Sequence, residues 1–314
     1  MTITAKVVTD SIGTHAKRLT TFQLCYPRFI HAEVMTHRVF SRNASSSRAV
    51  PVSRTIKNIL DDTAMPSYWG ANRPGMQAKE ECDEFVDCPG LMQDFPSLCS
   101  REDAWLNARD AAIEIAESFG QAGYHKQIVN RLLEPFSHIH VVLTATEYDN
   151  FFSLRRHPDA QPEFKILADA MWEAREASTP NVLEPRMWHL PYVTDRDFEM
   201  IHAQHDTYDP DEFINPWDYK LIQISVARCA RVSYLTHDGQ DPDIEKDIAL
   251  FDRLVGGVPL HASPAEHQAT PDVWDGDGLE RYPRQAERRG NFSLGWVQFR
   301  KLLPDENMEG NYSG

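Results

Sequence analysis

The sequence predicts an α/β fold. Two apolar, β-branched runs, residues 19–27 (LTTFQLCYP) and 138–146 (HIHVVLTAT), have strand character. Two longer stretches, 102–123 and 159–177, repeat apolar residues at helical spacing. Strands and helices interleave along the chain, the pattern expected when helices cover a sheet. With 314 residues the chain can form one large domain or two ordinary ones. We read a single domain over 1–314, with irregular insertions near 57–100 and 181–216.

In chain order, the first strand ends at Pro27, which cannot donate to a ladder. RFIHAEVMTHRVF (28–40) then spaces Phe29, Ile30, Val34 and Met35 as on a helix. Serines compete for backbone groups, so 42–52 is expected to be a loop. Residues 57–100 carry Pro66, Pro74, Gly75, Pro89, Gly90 and Pro96 and read as a long surface insertion. An amphipathic helix over 102–123 closes at Gly120 or Gly123, and a second, 124–136, stops before Pro135. After the 138–146 strand, EYDNFFSLRR reads as a turn. Residues 159–177 read as a helix with Phe164, Leu167, Ala168 and Met171 on one face. Residues 181–216 look irregular, 217–235 contain a strand candidate, and 243–257 form a capped helix ending at a double glycine. In GNFSLGWVQFRK (290–301), Trp296, Gln298 and Arg300 alternate with Val297 and Phe299, as on a half-buried strand.

Composition narrows the function. There are 32 basic and 47 acidic residues, a net charge of −15, which argues against binding to nucleic acid polymers. No stretch reaches the roughly 18 apolar residues of a membrane helix, and MTITAKVVTDSIG lacks a signal-peptide core. A cytoplasmic protein is expected. The five cysteines are odd in number and Cys82, Cys88 and Cys99 do not fit paired zinc spacing, so free thiols are expected. His138, His140 and His157 lack a carboxylate at ligand spacing, so no metal is expected. Ser46 lies near His37 but without a nucleophile elbow, and no dinucleotide or P-loop glycine pattern is present.

Against this acidic background, THRVFSRNASSSR (36–48) holds bases and hydroxyls and no carboxylate. Arg38, Ser46 and Arg48 supply the charged fork and hydroxyls that a phosphate needs. A solvated basic loop is the alternative reading.

The spacing resembles the Arg-His-Arg signature of flavin-dependent thymidylate synthases, the ThyX class. Here Thr36-His37-Arg38 is followed by seven residues, then Ser46, then Arg48. NRLLEPF is similar to the family's nucleotide-binding helix and makes Arg131 its arginine. NFFSLRRHPDAQPEF is similar to a further family element, with Asn150 as a flavin contact and Arg155 as the arginine on the pyrimidine. CARVSYL with HASPAEH is similar to the family's flavin-binding beginning: Arg231 and Ser233, then His261, Ser263, Glu266 and His267. In this chain that part follows the signature by about 200 residues, so the motifs run in circularly permuted order.

The resemblance implies a ThyX-like mixed sheet with helices, circularly permuted, and a homotetramer with shared active sites. It implies one-carbon transfer from 5,10-methylenetetrahydrofolate to C5 of dUMP, with FAD reduced by NADPH. Arg38, Ser46, Ser47, Arg48, Arg131 and Arg155 would hold the nucleotide, with Arg155 catalytic. His37, Arg38, Asn150, Ser233, His261, Ser263 and Glu266 would hold the flavin.

The chain departs from the family pattern at Thr36, Ala44, Glu33, Ala49 and Asp159. Thr36 replaces an arginine, which leaves open whether Gln298 or Arg300 takes its place or simply belongs to a core strand. Two alternative functions stay open: a hydroxymethyl- or methyltransferase acting on dUMP or dCMP, and a non-catalytic flavin or nucleotide binder.

Overall fold

Alternation along one strand sets the two faces of the sheet. In β2 (Ala16–Pro27), Phe22, Leu24 and Tyr26 point one way and Thr21 the other, as successive strand residues must. The computed structural model describes residues 2–75, 77–88, 98–203, 212–232, 241–276, 281–304 and 306. Its main sheet has five strands in the order β3-β6-β2-β1-β7. These are β1 (Thr4–Gly13), β2, β3 (Ser41–Ala44), β6 (His138–Ala145) and β7 (Asn181–Leu183). All neighbours are antiparallel except β1 and β7, so the sheet is mixed.

The apolar face of β2 and β6 is covered by α5 (Asp149–Arg155) and α6 (Pro162–Glu176). Phe151, Phe152, Phe164, Leu167, Ala168 and Met171 bury against it. The predicted face of α6 is the observed one. A satellite core joins α2 (Val52–Asp61), α3 (Arg101–Gln121) and α4 (Lys126–Leu132) through Ile56, Ile59, Ile113 and Val129.

The last third builds on the opposite face. It includes α7 (Asp195–His202), α8 (Pro216–Arg231) and α9 (Ile244–Val255). A 3-10 turn, Ser263–Glu266, leads into β8 (Ala269–Pro271), which pairs with β11 (Trp296–Gln298). Short β4 (Val86–Asp87) pairs with β5 (Leu98–Cys99), and β9 (Trp274–Asp275) with β10 (Tyr282–Pro283). The five cysteines are free thiols. Among the described residues no helix is long and apolar enough to cross a membrane.

Several elements differ from expectation, for identifiable reasons. The loop expected over 42–52 begins as β3, because β6 offers an open edge to Ser41–Ala44; the chain leaves β6 only after Ser45, whose amide still donates to the His140 carbonyl. The helix expected over 28–40 is two single turns ending at Val34. The expected turn after β6 is α5, drawn into a helix by burial of Phe151 and Phe152. Within the 57–100 insertion, α2 continues to Asp61. Within 181–216 lie β7 and α7, the latter closed by a Thr194–Asp197 capping box. The strand candidate in 217–235 is α8. Pro216 starts it, and Leu221 through Cys229 are all buried, so no amphipathic period marks it as a helix. Trp296, Val297 and Gln298 are buried together rather than alternating, and Phe299 begins a 3-10 turn.

Burying α8 on every side buries a charge. Arg228, with a fully buried side chain, donates from Nη1 and Nη2 to Asp197 at 2.6 and 2.9 Å and from Nε to Asp247 at 2.9 Å. Its Nη1 also donates to the Tyr192 carbonyl. The same Asp197 oxygen accepts from Thr194, so the ion network fastens α7, α8 and α9 together. Removing one partner of such a network strands a charge. Arg228→Leu is expected to lower the unfolding free energy by about 3–5 kcal/mol, read from urea denaturation. A loss below about 1 kcal/mol would contradict this role.

Candidate active site

The basic signature begins where α1 (His31–Val34) is forced to end. The Arg42 guanidinium donates to the carbonyls of Met35 (3.2 Å) and His37 (2.9 Å), so a cation closes the helix C-terminus. His37 then sits in an aromatic corner, stacked on Phe40 and edge-on to Phe151 and Phe164 at centroid distances of 5.7, 5.0 and 6.0 Å. Arg155, the last residue of α5, donates from Nε to His37 Nε2 at 3.0 Å, and its guanidinium lies 4.6 Å over the Phe164 ring. His37 therefore accepts at Nε2 and carries its proton on Nδ1. Burial holds its pKa below the usual histidine value, and the Arg155 and Arg42 cations push the same way.

The following loop is fixed by α4. Asn130 donates from Nδ2 to the carbonyls of Ser47 (2.7 Å) and Val50 (3.0 Å), and Lys126 donates to that of Ala49. Ser47 donates to Glu134, which also pairs with Arg28. The Arg48 amide donates to Ser46 Oγ. Arg131 follows Asn130 on the helix that holds this loop, and it is exposed, as are Arg38 and Arg48. None of these three arginines forms an ion pair among the described residues.

The segment 261–268 reaches the signature from the far end of the chain. With the Asn43 carboxamide oriented so that its neighbours are satisfied, its nitrogen faces the carbonyls of Ser263 (3.1 Å) and Arg42 (3.0 Å) and His267 Nε2 (3.3 Å). Gln298 Nε2 donates to the Glu266 carbonyl at 2.9 Å and to Ser41 Oγ at 3.4 Å. Arg300 pairs with the Glu266 carboxylate and donates from Nε to Glu306 at 3.0 Å. Thr36 donates its hydroxyl to the Glu33 carbonyl, so it is engaged with its own turn.

The structure thus joins His37 to Arg155, Ser47 to α4, and Glu266 to Arg300. Asn150 is exposed on α5, and His261 and Ser263 are exposed at the start of their segment. Ser233 lies outside the described residues. Sequence reading missed Arg42, Asn43, Asn130 and Phe164 as site-builders; Arg42 was visible only as one more base in the window. A cavity of about 960 Å³ opens elsewhere, between β1, β7, α7 and the start of α8, and none of the signature residues lines it. Among the described residues no three metal-ligating side chains cluster.

Residues 10–181, more than half of the chain, match the model of the family described as thymidylate synthase complementing protein. The chain belongs to that family. It is accordingly an enzyme, and Arg38, Arg48, Arg131 and Arg155 all lie inside the matched span. No curated protein matches the sequence. Among solved structures, the UMP/dUMP methylase PolB from Streptomyces cacaoi, bound with 5-Br dUMP, has 18% identity and a TM-score of 0.38, over 55% of this chain and 90% of its own. The flavin-dependent thymidylate synthase ThyX from Helicobacter pylori, complexed with FAD and dUMP, has 21% identity and a TM-score of 0.32, over 50% of this chain and 67% of its own. At these scores the likenesses carry no weight here, and the family assignment rests on the sequence match.

The His37–Arg155 geometry has a measurable consequence. In the native chain His37 is expected to titrate below 6.5 in an NMR titration. Arg155→Met removes one repelling cation, so the His37 pKa rises; it stays depressed because burial, the larger cause, remains. An unchanged or lower pKa in the variant would contradict the contact.

Proposed function

We propose that the chain methylates dUMP at C5, taking the carbon from 5,10-methylenetetrahydrofolate and yielding dTMP, with FAD reduced by NADPH as the source of reducing equivalents. The observation that carries this reading is the family match over 10–181, which contains Arg38, Arg48, Arg131 and Arg155. Three of those arginines are exposed and free of protein counter-charge among the described residues, the donor set that polyanionic ligands such as dUMP and FAD require.

The division of labour follows from how each residue is held. Carbon transfer at C5 demands that negative charge develop on the pyrimidine. Arg155 is the group that stabilises it: His37 and Phe164 fix its guanidinium beforehand, so little reorganisation is needed at the moment of reaction. Arg38, Ser46, Ser47, Arg48 and Arg131 grip the phosphate, and the grip of α4 on the loop sets the position of the ring. His37, Arg38, Asn150, Ser233, His261, Ser263 and Glu266 are the residues that would hold FAD. When bound, FAD supplies the hydride that completes the methyl group.

The contact of Asn43 with Ser263 and His267 supports circular permutation, since it seats the late motif beside the early one. Arg300 stands in for the arginine absent at Thr36 by holding Glu266. We read the protein as a cytoplasmic homotetramer with shared sites.

A second reading, hydroxymethylation of dUMP or action on dCMP, is favoured specifically by exposed Ala44 and self-engaged Thr36. Product mass after incubation with FAD, NADPH, methylenetetrahydrofolate and dUMP or dCMP separates the two. The expected product is dTMP from dUMP. Arg155→Ala should cut turnover by about 100-fold or more while the purified protein still takes up FAD. A protein that binds FAD and yields no product with either nucleotide would leave only a binding role, and failure to take up FAD would overturn the reading.

A further inference from the structure

The sheet face turned away from α5 and α6 carries a continuous buried chain of hydrogen bonds. Ser11 Oγ lies 2.8 Å from His189 Nδ1, and His189 Nε2 lies 2.8 Å from Thr21 Oγ1. Thr21 Oγ1 meets Thr144 Oγ1 at 2.7 Å, directly across the β2–β6 ladder. Thr144 Oγ1 is 2.8 Å from His267 Nδ1, and His267 Nε2 is 3.3 Å from the Asn43 carboxamide. Ser11, His189, Thr21, Thr144 and His267 are at most 1% exposed. One end, Asn43, belongs to the basic signature; the other, Ser11, lines the 960 Å³ cavity.

Each hydroxyl in the chain has one proton to donate, and each neutral imidazole has one N–H. Full burial pushes both histidines down to about 3, so both stay neutral at physiological pH. Every internal link must then point the same way, or a buried hydroxyl proton is left without an acceptor or two lone pairs face each other, which is costly. The direction is set at Asn43. Its nitrogen faces two carbonyls and His267 Nε2 with two N–H donors, so the imidazole must meet it with a lone pair and not with an N–H of its own. His267 Nδ1–H then donates to Thr144, Thr144 O–H to Thr21, Thr21 O–H to His189 Nε2, and His189 Nδ1–H to Ser11.

We propose that this chain is an orientation relay: it locks His189 and His267 into the same tautomer and thereby fixes the carboxamide of Asn43 within the signature strand. His189 and Thr144 are positioning residues, acting on the ligand-binding segment through His267 and Asn43. The effect on nucleotide rests on the function proposed above; the tautomer lock does not.

The test uses the full chain labelled with 15N-histidine. At neutral pH, long-range 1H–15N spectra should show His189 and His267 both neutral and both as the Nδ1–H tautomer. Opposite tautomers, or both as Nε2–H, would overturn the relay. Thr144→Val removes the central hydroxyl at nearly constant shape. His267 should then lose its single tautomer, and the dissociation constant for dUMP should rise between about 2-fold and 30-fold. Thr144→Ser, which restores the hydroxyl, should recover both. A Thr144→Val protein with unchanged His267 signals would refute the lock, and the native spectra decide the matter even if that variant does not fold. A native chain with both rings as Nδ1–H that binds no dUMP would sustain the relay and contradict the proposed function.

Discussion

The position of β6 between β2 and β3 is the constraint on which the site depends. This strand pairs with β2 over its whole length and offers its other edge to Ser41–Ala44. That edge pulls the basic signature out of a loop and into register. Where β6 ends, the chain turns directly into α5, and Phe151 and Phe152 bury so that Arg155 reaches His37. Thr144, on the face opposite the aromatic core, receives the late segment through His267. Separate parts of one sequence are therefore tied to a single eight-residue strand.

The charge pattern follows from the same arrangement. Among the described residues some inward cations have carboxylates built for them, as Arg228 has Asp197 and Asp247 and Arg18 has Asp10. Arg42 is satisfied by backbone carbonyls instead, and Arg155 by an imidazole and an aromatic face. Such partners leave positive charge uncancelled, which is the property an anion-binding site needs in an acidic protein. Burial that would be expensive for a free cation is tolerable here because every donor with a protein partner points at a dipole or a π-face.

Much of this was legible in the sequence where periodicity and covalent limits speak locally. Strand β2 ends at Pro27, α6 shows its buried face, and α9 carries its Asp243 cap and its double glycine. The spacing from His37 to Ser46 and Arg48 singles out a segment that lies within the family match. What could not be read depends on distant partners. Ser41–Ala44 is a strand only because β6 is there to pair with it. Helix α8, buried on all sides, has no polar face to reveal its period. Glu266 and Arg300 meet because β8 pairs with β11, and Ser11, His189 and Thr144 are unremarkable singly.

A crystal structure of the full chain with FAD and dUMP bound tests the central claim most directly. The account predicts the nucleotide phosphate against Ser46, Arg48 and Arg131, the pyrimidine against Arg155, and the flavin against His261 and Glu266, whether these come from one protomer or from two. A nucleotide bound away from the 36–48 signature, or a flavin with no contact to the 261–266 segment, would contradict it.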